Sequence, residues 1–227
     1  MLEILPWDSQ FFGFGVGRLR AESLTPSVVL TARHWCHTHH VSCLYYLGPE
    51  ESRVPEGFLW VDERVTYHWD AQDRVAAEST PDVRPFESGD LETLETIARR
   101  SHRDSRFYSD PSFDRTRCDE LYATWIRRSC GTGGGRADAV FVATYQERPC
   151  GYVTCDGNSI GLIAVAESAQ GRGLGKQLVT AAQQHFLSRG VGRAQVVTQG
   201  RNQAARRLYL SRGFKAAEAQ HWYHLHV

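Results

Sequence analysis

The chain has 227 residues, 41% of them hydrophobic, and its 26 basic and 26 acidic side chains cancel. Such a composition suits a globular protein with a sizeable core and excludes a disordered or collagen-like chain. No run of 18 apolar, uncharged residues occurs, which excludes a transmembrane helix. Glu3, Pro6 and Asp8 stand where a signal peptide would carry a basic start and an apolar run. Six cysteines occur without a C-x-x-C pair, so no zinc framework is expected, no metal is assigned, and reduced thiols in the cytoplasm are the expectation.

Residues 1–72 read as a small mixed unit. A helix is expected over Leu30–Thr38 and a buried strand over Cys43–Leu47. A second strand is expected over Val61–Trp69, where Val65, Tyr67 and Trp69 alternate with Arg64, Thr66 and His68. Pro81 and Pro85 with Glu78-Ser79-Thr80 break any pattern between Asp73 and Pro85. This predicts a small N-terminal α/β domain, 1–78, and a larger domain, 79–227.

In the larger part Asp82–Arg84 reads as a short strand. Ser88–Leu91 opens a helix with Leu91, Leu94, Ile97 and Ala98 on one face. Arg106–Pro111 interrupts the pattern. Asp119–Arg128 is a second helix, and Cys130–Gly135 a glycine-rich connection. Ala139–Thr144 and Pro149–Cys155 form a strand pair, and Gly161–Ala166 is another strand. Leu174–Arg189 is a helix closed by Gly190, and Ala194–Thr198 a strand. Asn202 caps a helix that Gly213 ends, and Trp222–Leu225 is a last strand. Helices and strands intermix throughout, which predicts an α+β or α/β fold. Edge strands near the C-terminus leave a homodimer open.

Charge is uneven. No acidic residue lies between Glu167 and Glu218, a stretch that carries Arg172, Lys176, Arg189, Arg193, Arg201, Arg206, Arg207, Arg212 and Lys215. This points to a polyanionic ligand, a nucleic acid or a phosphorylated small molecule. The loop Gln170-Gly171-Arg172-Gly173-Leu174-Gly175 favours the second, because it runs from a strand end into a helix start. Unpaired N–H groups and the positive end of the helix dipole attract phosphate there. Glycines allow close backbone approach, and Arg172 and Lys176 add charge. The loop is not a P-loop, since Gln170 replaces the first glycine and Gln177 follows Lys176. Nor is it a dinucleotide fingerprint, since no glycine takes the third position and no acid follows until Glu218.

Gln/Arg-x-x-Gly-x-Gly/Ala between a strand and a helix resembles the acetyl-CoA signature of the GNAT N-acetyltransferase superfamily, matched by Gln170, Gly173 and Gly175. Asn202-x-x-Ala205, Tyr209 and Gly213-Phe214 resemble that family's closing motif. The resemblance implies a mixed, mostly antiparallel sheet flanked by helices, and acetyl-CoA as co-substrate. It implies that Ile163, Ala164 and Val165 pair with the pantetheine arm, that the loop from Gln170 to Lys176 holds the pyrophosphate, and that Asn202 belongs to the same site. It also implies that Tyr209 protonates the departing thiolate, a role suited to a phenol that is protonated at neutral pH. For the base, chemistry alone offers Glu167, His102, Asp104 and His221.

Trp7-Asp8-Ser9-Gln10-Phe11-Phe12-Gly13, Ser105-Arg106-Phe107-Tyr108 and Tyr122-x-x-Trp125-Ile126 are similar to the dTDP-fucosamine N-acetyltransferases. That resemblance implies acetylation of the amine of a dTDP-linked 4-amino-4,6-dideoxyhexose, for polysaccharide synthesis. The alternatives are another small amine, a protein N-terminus, or a non-catalytic acyl-CoA-binding module. Nucleic acid and membrane are not expected partners. His34, His37, His39 and His40 with Cys36 lack tetrahedral ligand spacing and read as a solvated helix end.

Overall fold

The alternation of Val65, Tyr67 and Trp69 builds the longest strand of the molecule, and all three side chains are buried in one apolar cluster. The computed structural model describes residues 1–50, 54–73, 79–132, 135 and 137–227. In chain order they form β1 (Leu2–Ile4), α1 (Pro6–Phe12), β2 (Val16–Leu19), α2 (Pro26–His39), β3 (Cys43–Gly48) and β4 (Phe58–Asp70). Then come β5 (Val83–Pro85), α3 (Leu91–Ser101), the single turn α4 (Arg106–Ser109), α5 (Arg115–Ser129), β6 (Ala139–Tyr145), β7 (Arg148–Asp156) and β8 (Ser159–Val165). The chain closes with α6 (Leu174–Ser188), β9 (Arg193–Gln199), α7 (Gln203–Ser211) and β10 (Lys215–His226).

The strands join one ten-stranded sheet in the order β1-β2-β3-β10-β4-β9-β8-β7-β6-β5. Only β2–β3 and β8–β9 are parallel. The expected mixed, mostly antiparallel sheet with flanking helices is therefore present. The expected boundary at 78/79 falls on residues 74–78, outside the described residues. The strands on either side of it interleave: β10 lies between β3 and β4, and β4 pairs with β9.

Three apolar clusters follow from strand alternation. In β3, Leu44 and Tyr46 face α2, while Cys43 and Tyr45 face the opposite layer. That layer is α1, α3, α4 and α5, which bring Phe12, Leu94, Phe107 and Leu121 against Tyr152 and Ala164. Trp7, Phe11 and Phe12 serve there as packing: Trp7 stacks on Phe11 at 5.1 Å, and Phe12 meets Phe113 edge-on at 4.7 Å. The third cluster joins α6 and α7 to β4, β7 and β9.

Two readings need correction. The last strand is twelve residues long, not four, and is interior to the sheet. Lys215–Ala219 are all exposed, so no hydrophobic alternation announces them; backbone pairing to β4 makes them a strand. With neighbours on both sides β10 offers no edge to a second copy; the free edges are β1 and β5. The first twenty residues also hold two strands and a helix that periodicity misses, because each is seven residues or shorter. Only the flanks of α1 signalled it: Pro6 in the first turn and Gly13 at φ 82° after the last. The expected connection Cys130–Gly135 lies partly outside the described residues.

Candidate active site

β8 and β9 are held by different neighbours. β9 follows β4 through seven register pairs, Arg64↔Gln199 to Asp70↔Arg193, whereas β8 follows β7. The two meet only at Ser159↔Gln195 and Ile160↔Val196 and then diverge. From Ile163 to Val165 the β8 backbone is paired on the β7 side alone, and a register shift separates this stretch from Ile160. A groove of about 970 Å³ opens in that gap. Ile163, Ala164 and Val165 form one wall, residues 167–171, Gly173 and the start of α6 one end, and Asn202 with Ala205 and Leu208 of α7 another wall. The opposite layer contributes Ile97, Arg100 and His102 from α3 and its C-cap. A free strand edge can pair with an extended polar arm as an added strand would.

The glycine loop is shaped for an anion. Gly171 and Gly173 have φ of 76° and 79°, values that an L side chain rarely adopts, and Gly173 caps α6 with no side chain over the first turn. The early N–H groups of α6 are thus left to a ligand, although that of Lys176 already donates to the Gly173 carbonyl at 3.0 Å. Gly175 serves another purpose: a Cβ there would come within 3.3 Å of Leu208, so its absence lets α6 pack on α7. Gln170 lies on the groove and its Nε2 donates to the Val165 carbonyl at 3.1 Å, fixing the loop to the end of β8. Arg172 and Lys176 do not line the groove; the Arg172 guanidinium lies 4.2 Å over the Tyr145 ring.

Asn202 lines the groove and caps α7, its Oδ1 accepting from the Ala205 amide at 2.9 Å. Tyr209 does not line it. Its side chain is 2% exposed, with its ring 6.0 Å from Tyr67 and 5.8 Å from Phe214. Burial pushes its phenol pKa up, so it keeps its proton at neutral pH. Its helix neighbours Ala205, one turn earlier, and Leu208 do line the groove.

Of the four candidate bases, Glu167 and His102 reach the groove; Asp104 is exposed, and His221 accepts from the Trp60 indole at 2.9 Å. Sequence reasoning missed Asp62, just beyond the stretch of β4 that pairs with β9. It is 2% exposed, with an Oδ1 that no donor reaches; Arg201 Nε is 3.7 Å away. Burial, only partly offset by Arg201, raises its pKa to about 7. Nothing in a strand pattern marks a carboxylate for such an environment.

Part of the basic stretch is paired with acids from elsewhere in the chain. Arg189 lies 3.9 Å from Asp138, Arg193 3.0 Å from Asp70 and Lys215 2.7 Å from Asp73. These pairs turn part of the charge asymmetry into contacts within the fold. His34, His37, His39 and His40 are exposed at the end of α2, as a solvated helix end should be. A separate cluster brings Cys43, Asp110, His224 and His226 within 4.8 Å of one another. Arg106 donates to His224 Nε2 at 2.8 Å, so the His224 proton lies on Nδ1 and is donated to Asp110 at 2.6 Å. His226 Nε2 adds a contact of 2.8 Å to the same oxygen. This hydrogen-bonded node ties α4 to β10, and an Arg donor on the outer His224 nitrogen is the wrong partner for a metal-bound imidazole.

Comparison with known proteins fits this geometry. A Bacillus subtilis (strain 168) protein, "Spore coat polysaccharide biosynthesis protein SpsD", is 28% identical over 148 residues, 63% of this chain and 50% of that protein. The chain thus spans about half the length of this curated relative. A functionally unknown conserved protein from Staphylococcus epidermidis superposes with a TM-score of 0.69 at 15% identity, over 98% of this chain and 88% of that one. A GCN5-related N-acetyltransferase from Sphaerobacter thermophilus does so with a TM-score of 0.62 at 16% identity, over 99% and 76%. These two likenesses concern the fold. Residues 92–214, more than half of the chain, match the model of the acetyltransferase (GNAT) family, and the protein belongs to that family.

Proposed function

We propose that this enzyme moves the acetyl group of acetyl-CoA to the amine of a nucleotide-linked amino sugar of the dTDP-4-amino-4,6-dideoxyhexose type. The observation that carries the acetyl-CoA part is the gap between β8 and β9, which leaves the backbone of Ile163–Val165 free beside an uncapped helix N-terminus. Its polar edge and phosphate-attracting end suit a long polar arm ending in a pyrophosphate. The sugar part rests on the resemblance of Trp7–Gly13 with Arg18-Leu19, of Ser105–Tyr108 and of Tyr122-x-x-Trp125-Ile126, and on similarity to a protein named for polysaccharide biosynthesis. The six unpaired cysteines suit a reducing compartment, the cytoplasm.

In this reading the walls of the groove orient the two substrates, the amine adds to the thioester carbonyl carbon, and the tetrahedral intermediate then collapses with cleavage of the C–S bond. Gly171, Gly173, Leu174 and Gly175 hold the pyrophosphate with backbone N–H groups. Asn202 stiffens the start of α7, and Tyr209 delivers a proton to the leaving sulfur. For that step the sulfur must enter between Ala205 and Leu208, toward the buried phenol.

The test is CoA release from acetyl-CoA with a panel of dTDP-linked amino sugars, wild type beside Tyr209→Phe. Turnover in the wild type, and a loss of about 10²–10³-fold in kcat with acetyl-CoA affinity unchanged, is the expected result. Acetyl-CoA binding with no turnover on any amino sugar removes the sugar reading. A Tyr209→Phe enzyme as active as the wild type removes the acid.

A further inference from the structure

His102 is a groove residue whose hydrogen-bonding state can be read from its surroundings. It caps α3, and its ring lies nearly parallel to that of Tyr122 with centroids 4.4 Å apart. Its Nε2 is 3.0 Å from the Tyr152 hydroxyl. Tyr152 is fully buried, and among the described residues that hydroxyl has no other hydrogen-bond partner. A buried O–H that goes undonated costs about 1–3 kcal/mol, so the Tyr152 hydroxyl donates and Nε2 accepts. A neutral imidazole that accepts at Nε2 carries its proton on Nδ1. No described protein atom accepts that proton, and Nδ1 is not among the buried atoms left without a partner. The ring therefore offers one N–H donor to the groove.

The position is as informative as the tautomer. Tyr152 in β7 is the register partner of Ala164 in β8, the middle residue of the free edge. The Tyr152–His102 pair thus rises beside the stretch of backbone assigned to the pantetheine arm. We propose that His102, held by Tyr152, donates its Nδ1–H to the carbonyl oxygen of the acyl donor together with a backbone N–H of the β8 edge. This rests on the reading of the groove as the acetyl-CoA site.

As the amine nitrogen bonds to the carbonyl carbon, the carbonyl π electrons move onto oxygen, and the two donors stabilise that charge. When the C–S bond breaks, the electrons return and the carbonyl re-forms. Tyr209 supplies the proton to sulfur, and the extra proton on nitrogen leaves to solvent. A neutral imidazole is suited to donating here because it remains uncharged while the charge develops elsewhere. Poor solvation lowers its pKa to about 4, too low for it to take a proton from an ammonium group. His102 thereby leaves the roll of candidate bases and becomes a donor; Tyr152 is its positioning residue.

The test has a ligand-free arm. In the unliganded protein, ¹⁵N NMR of the histidine ring should show the Nδ1–H form for His102, with no titration between pH 5 and 8. In Tyr152→Phe the ring should populate the other tautomer. Kinetically, His102→Phe keeps the stack on Tyr122 but removes the donor. It should lower kcat by about 10²–10³-fold, with acetyl-CoA affinity within a few-fold and an unshifted pH profile. His102→Gln, which keeps an N–H, should recover part of the loss. Wild-type enzyme that binds no acetyl-CoA overturns the groove reading, whatever His102 does. Wild-type turnover with an Nε2–H tautomer, a His102 titration between pH 5 and 8, or full activity in His102→Phe overturns this inference alone.

Discussion

The molecule contains the same β-α-β crossover twice, and only one copy is open. In β2–α2–β3 the parallel strands stay paired along the whole of β2, Val16↔Cys43 to Leu19↔Tyr46. In β8–α6–β9 they part after two residue pairs. The helix starts differ in the same sense. Thr25 accepts from the Val28 amide and Pro26 has no N–H to give, so the first turn of α2 is partly satisfied by its own chain. The first turn of α6 follows Gly173 in the left-handed region with no side-chain cap. Whether a helix start is left open thus depends less on the crossover than on which partners separate its strands and what covers its helix.

The largest expected effect lies outside both crossovers, at the node that ties α4 to β10. Asp110→Ala strips the carboxylate from His224, His226 and the Ser112 amide at a fully buried site. Burial works against the Asp110 charge, and the hydrogen bonds from His224 and His226 outweigh it, holding the carboxyl far below its usual range. Its removal should cost about 3–5 kcal/mol in urea unfolding. A loss below 1 kcal/mol would mean that the node does not hold α4 to the sheet.

Next in size is the open half. Gly173→Ala forces a side chain into φ 79° with no steric obstacle nearby, so strain alone is introduced. Acetyl-CoA affinity by calorimetry should fall about ten-fold or more for about 1–2 kcal/mol of strain. An unchanged affinity would argue that the loop does not carry the pyrophosphate. Smallest is Thr25→Ala in the closed half, which removes the cap of α2 and should cost about 1 kcal/mol of stability. Acetyl-CoA affinity should not move, and if it does the two halves are coupled in a way the comparison denies.

The glycine loop, the cap at Asn202 and the closing Gly213-Phe214 were legible because each is a local device whose residue types are dictated by backbone geometry. Most long elements were legible for a similar reason: β4 and α6 carry their own periodicity, and β7 is a short apolar run bounded by turn residues. The roles of Arg172 and Lys176 were not, since a charge in a loop has many conformers and packing chose Tyr145 for Arg172. Asp62 was not legible and His102 only as a chemical type, because the burial that sets their proton affinities comes from the fold, with Arg201 beside Asp62 and Tyr152 beside His102.

By itself the sequence determined the local chemistry: a strand, a glycine turn with positive φ and an amphipathic helix, followed by a capped helix bearing a tyrosine. Only the tertiary structure decided that β4 and β10 come together at the centre of one sheet, drawing β9 away from β8. The reason is that strand pairing is a long-range competition for backbone partners. Residues 64–70 win β9 for β4, and the gap they leave beside β8 is the groove.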